Sequence, residues 1–63
     1  MDKFFLLTYV NRGEDGFAHS YHAWFETEEE LIAFARRARK RNEGMEIDLA
    51  IEIYRYREVK VIL

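Results

Sequence analysis

A chain of 63 residues that is 49% apolar and 16% aromatic and has no cysteine is one small domain without covalent cross-links. Disulfides and thiolate metal sites are excluded, and so much apolar side chain excludes intrinsic disorder. The formal charge of −2 exerts no overall pull towards nucleic acid or a membrane surface. No run approaches the length of a membrane span, and Phe4–Val10 is too short for a signal peptide and lacks a cleavage site. The absence of cysteine fits a cytoplasmic location. A domain this small buries only about 60% of the surface its unfolded chain exposes, so a dense core or oligomerisation must supply the rest.

Lys3–Val10 (KFFLLTYV) is apolar on both parities, with Phe5, Leu7 and Tyr9 on one and Phe4, Leu6 and Val10 on the other. A strand with two apolar faces belongs in the middle of a sheet. Asn11–Gly16 (NRGEDG) reads as a hairpin loop. A second strand follows over Phe17–Phe25, with Tyr21, Ala23 and Phe25 opposite Ser20, His22 and Trp24.

Thr27 with Glu30 matches a capping box and predicts a helix over Glu28–Asn42, with Gly44 as a left-handed C-terminal stop. Wound at about 100° per residue, it places Leu31, Phe34, Ala35 and Ala38 on one stripe, with Ile32 at the edge. Glu29, Arg36, Arg37 and Lys40 fall on the opposite side.

Met45–Leu63 alternates almost without a break. Met45, Ile47, Leu49, Ile51 and Ile53 share one parity with Val59, Val61 and Leu63, which predicts a single long strand. Extended, it would run on the order of 60 Å, against a diameter of about 27 Å for a compact chain of this length. It must bend, fray or reach another chain.

The order strand, strand, helix, strand predicts an α+β fold: a single ββαβ domain spanning 1–63. Its three-stranded antiparallel sheet has order 2-1-3, with one helix packed on one face. In a monomer the second face is bare, showing either the Phe5/Leu7/Tyr9 set or the Phe4/Leu6/Val10 set. Such a patch exceeds the few hundred Å² that a monomer normally tolerates. Val59, Val61 and Leu63 lie beyond the reach of the helix, with no evident partner in the same chain.

Sites of chemistry are sparse. His19 and His22 on one strand face opposite sides and cannot share a metal. Ser20 and His22 share a face, but no nucleophile elbow, third member or enclosed pocket accompanies them. The chain is therefore expected to be no enzyme and to take no metal or cofactor.

The run Arg36–Arg41 gathers Arg36, Arg37, Arg39, Lys40 and Arg41 at the end of the helix, with Glu28, Glu29 and Glu30 at its start. Complementarity to the helix dipole accounts for that placement. The bases largely lack acidic partners four residues earlier, which leaves the patch open to an acidic protein or a nucleic-acid backbone. Tyr9, Tyr21, Trp24, Tyr54 and Tyr56 suggest a base-stacking sheet, but the fold is one strand and one helix short of that module; they read as core or interface aromatics.

Tyr54, Arg55, Tyr56 and Arg57 (YRYR) are residue types that interfaces favour, and equally suit a solvated strand end with extended arginines. The sequence thus points to a small protein-interaction module, homodimeric and docking on a larger protein partner, with no membrane role. Tyr54, Arg55, Tyr56, Arg57, Val59, Val61 and Leu63 are its candidate contact residues. Nucleic-acid association through the basic patch is the alternative.

Overall fold

The two apolar faces of the first strand place it at the centre of the sheet. A computed structural model describes residues 4–63, so Lys3, where the first strand was expected to begin, lies outside the described residues. Five elements follow in order: β1 (Phe5–Arg12), β2 (Ala18–Phe25), α1 (Glu28–Arg41), β3 (Glu46–Glu52) and β4 (Arg57–Glu58). The sheet runs β2-β1-β3-β4 and is antiparallel throughout, with α1 against one face. This is the expected ββαβ architecture with a short fourth strand added at the edge of β3.

The first hairpin pairs Phe5 with Phe25 at one end and Arg12 with Ala18 at the other. Its loop closes because the Asp15 carboxylate accepts from the Phe17 N–H at 2.9 Å, and Gly16 takes the left-handed conformation (φ 86) that the turn requires.

The helix begins at its capping box: the Glu30 N–H donates to Thr27 Oγ1, and the Thr27 N–H donates to the Glu30 carboxylate, both at 3.2 Å. Removing that hydroxyl leaves N-terminal amides without a partner. Thr27→Ala is therefore expected to cost about 1 kcal/mol, read as a lower urea midpoint at unchanged slope.

The helix end differs from the expectation. Gly44 is not a left-handed stop; among the described residues positive φ occurs only at Gly16 and Tyr56. Asn42 ends the helix instead. Its backbone is extended, its N–H donates to the Ala38 carbonyl, and its side-chain oxygen accepts from the Gly44 N–H at 2.9 Å. Its side-chain amide also donates to the Arg12 carbonyl, tying the helix end to β1.

Leu31 and Ala35 are buried beneath α1, with Ile32, Phe34 and Ala38 packed beside them. The Phe34 ring sits 5.7 Å from Tyr9 and 5.3 Å from Phe25. Phe5, Leu7 and Tyr9 therefore face the helix, and the Phe4/Leu6/Val10 set faces away.

Two departures reshape the last third of the chain. First, β3 carries a bulge. Thr8 pairs with Leu49 but Tyr9 pairs with Ile47, which leaves Asp48 without an opposing residue. The extra residue reverses the faces. Met45 and Ile47 lie on the helix side with Ala50, whereas Leu49, Ile51 and Ile53 lie on the other. The single apolar parity expected for Met45–Ile53 is thus divided between the two faces.

Second, the chain turns back after Glu52. The Tyr56 N–H donates to the Ile53 carbonyl, Arg57 returns opposite Glu52, and the Val59 N–H donates to the Ala50 carbonyl at 2.9 Å. Met45–Leu63 is therefore two arms rather than one strand, which resolves the excess length. The Arg57 guanidinium fastens the turn, reaching Glu28 at 2.9 Å and Glu52 at 3.1 Å. Its pKa is raised above the ordinary value by the hydrogen bond to Glu28 first and that to Glu52 second, which keeps it cationic.

Val59 is 4% exposed within the core, and Val61 packs half-buried beside it. The expectation that these residues lack a partner in their own chain is corrected: the turn folds them under the helix. Tyr56 stands at φ 51, a conformation that β-branched residues resist. Tyr56→Val is expected to lose about 1 kcal/mol, whereas Tyr56→Gly should hold the wild-type urea midpoint.

Candidate interaction surfaces

The sheet face turned away from α1 is built by three strands. At its centre Leu6 lies between Trp24 and Ile51, and Thr8 lies between His22 and Leu49. Trp24 is 43% exposed and Leu49 42%. Ile53 and Tyr54 extend the surface at one end, where the Tyr54 ring lies 4.8 Å from that of Phe4. The polar members are Thr8, Ser20, His22, Asp48, Glu46 opposite Val10 and Glu58 opposite Ile51, with the Thr8 hydroxyl 3.4 Å from the Asp48 carboxylate. Two strands of eight residues and one of seven make a face of about 14 Å by about 26 Å.

The seven contact residues expected from the sequence do not form one surface. Tyr54 borders the open face, and Arg55 and Tyr56 project into solvent from the turn, Tyr56 at 82% exposure. Arg57 is engaged by Glu28 and Glu52, and Val59 belongs to the core. Leu63 lies beside α1, together with Ile62.

The basic run divides in the same way. Arg36, Arg39 and Lys40 line a cleft with Ile62 and Leu63, while Arg37 and Arg41 line a separate pocket with Tyr9, Asn11 and Phe34. His19 is 3.2 Å from Asp15 at the hairpin loop, and His22 stands on the open face.

Leu49 and Ile51 are the surface residues that the alternation placed on one face with Met45 and Ile47. Nothing in the sequence marks the bulge that turns them outward. The one hint is Ala50, a small apolar residue on the otherwise acidic parity of Glu46, Asp48 and Glu52, and it proves to be the residue pressed beneath the helix opposite Leu7.

Comparison of the chain with protein-family models, with curated proteins and with solved structures finds no match. Among the described residues, no helix is long and apolar enough to cross a membrane.

Proposed function

We propose that the chain is a small interaction module that self-associates through its open sheet face and, as a dimer, docks on a larger protein. The observation that carries this reading is the contiguous apolar strip of Leu6, Trp24, Leu49, Ile51 and Ile53, left without cover by the single helix. A second copy suits it because the five side chains of the strip are uncharged. Two copies can meet over them across a two-fold axis that keeps Glu46, Asp48 and Glu58 at the margin of the contact.

The face is less than half of the about 800 Å² per partner that a standard interface buries, so the dimer is expected to be weak and to form only towards high micromolar concentration. Self-association leaves Arg55, Tyr56 and the outer surface of α1 free on each copy for the larger partner. Sedimentation equilibrium tests the proposal: a monomer–dimer transition is expected as concentration rises to high micromolar. A chain that stays monomeric over that range ends the dimer reading.

A further inference from the structure

The C-terminal segment leaves β4, buries Val59 and then runs beside the helix, where Ile62 and Leu63 reach the surface. Ile62 is 79% exposed. With Arg36, Arg39 and Lys40 these two residues line a cleft of about 230 Å³ that has an apolar floor and a cationic rim. Arg36 and Lys40 stand one turn apart on the outer side of α1, and Arg39 stands on the flank between them and the tail.

None of the three cations is in an ion pair among the described residues; the pairs found there join His19 to Asp15 and Arg57 to Glu28 and Glu52. Like charges one helical turn apart repel one another, and an isoleucine 79% exposed and a leucine 46% exposed contribute only part of their burial to folding. The monomer gains little from this arrangement. An incoming chain would gain from both parts of it.

We infer that this cleft docks an acidic amphipathic segment of another protein, with an apolar side chain seated on Ile62 and Leu63 and flanking carboxylates on Arg36, Arg39 and Lys40. Charge complementarity fixes the sign of the partner. The floor fixes its class. A nucleic-acid backbone offers phosphates to the rim and nothing to the apolar pair, and no aromatic side chain lines the cleft to stack a base. Tyr9 and Tyr21 stack on each other at 5.6 Å, outside the cleft, and Trp24 lies on the open sheet face. Arg36, Arg39, Lys40 and Leu63 lie apart from the sheet face, and Ile62 alone also borders Asp48 and Leu49, so the charge variant tests this surface separately from the dimer.

The test is a titration of the full chain with a labelled peptide that alternates leucine with glutamate and aspartate. Its controls are the same peptide with lysine for each acid, a mixed-sequence single-stranded oligonucleotide, and phosphatidylserine vesicles. Anisotropy gives the affinity, and amide shifts give the place. The acidic peptide is expected to bind and to shift the amides of Arg36, Arg39, Lys40, Ile62 and Leu63.

Arg36→Glu with Lys40→Glu should weaken it about tenfold, the effect of reversing two screened charges. Ile62→Ser should weaken it about fivefold through the lost apolar contact. All three side chains are exposed, so these variants should keep the wild-type circular dichroism. Should the charge variant not fold, Ile62→Ser alone still decides the matter. The inference is overturned if the oligonucleotide or the vesicles bind as tightly as the acidic peptide, if the lysine peptide binds equally well, or if Ile62→Ser leaves the affinity unchanged.

Discussion

Val59→Asp is expected to unfold the chain. The valine is 4% exposed and packs with Leu7, Leu31, Ala35, Met45 and Ala50. A carboxylate in its place has no cation to meet, because the nearest guanidinium along the chain, that of Arg57, is held by Glu28 and Glu52. Losing the valine costs about 1.5 kcal/mol of burial, and placing an unpaired charge among apolar side chains adds several kcal/mol or forces the acid to stay protonated.

A domain of this length has a total stability of about 3–9 kcal/mol. The sum therefore exceeds the lower and middle part of that range, and far-UV circular dichroism should show loss of the helix. Val61→Asp is the contrast: that side chain is half-buried, its carboxylate can reach water, and the variant should stay folded with a reduced urea midpoint. A folded Val59→Asp variant with native helix content would show that the tail does not belong to the core, and the notion of a strand end reaching for another chain would return.

That contrast also shows how far the sequence could be read. The two-faced β1, the NRGEDG loop and the capping box at Thr27 each act over a few residues, so their signals survive without knowledge of the fold. The order 2-1-3 follows from them. The turn at Ile53–Tyr56 and the bulge at Asp48 have no such local signature. Tyr56 occupies a left-handed position that favours glycine, held there by the ion pairs of Arg57 and the burial of Val59, contacts made by parts of the chain far apart. Ile53 and Val59 share a parity on either side of the turn, so the alternation continues through a reversal that it cannot report.

The bulge deceives in the opposite sense, breaking the alternation in space while leaving it intact in the sequence. The bare face was therefore legible as a consequence of having one helix for three strands, but its membership was not. The basic run was legible as a charge cluster, while its division between two flanks of the helix depends on where the tail lies.

The open face supplies the second large effect. Leu49 pairs with Thr8 on the strand beside the central one, so a two-fold axis passing near Thr8 brings it against the other copy. Leu49→Glu places two carboxylates near each other there, beside the Asp48 carboxylate of each chain, in a contact from which water is excluded. About 3 kcal/mol is a modest figure for that combination, and it raises the dimer dissociation constant on the order of 100-fold. The same change costs the monomer little, about 1 kcal/mol, because the side chain is already 42% exposed.

The expected result is a folded monomer across the whole concentration range in which the wild type dimerises. Trp24 is the single tryptophan and lies on the same face, so its emission reports the same event: a blue shift with concentration in the wild type and none in Leu49→Glu. Leu63→Glu is the matched control. It adds the same charge at a side chain of similar exposure beside the helix, and should leave the dimer as it was. If Leu49→Glu dimerises as well as the wild type while Leu63→Glu does not, the copies meet through the helix and tail, and the uncovered strip of sheet must answer to some other ligand.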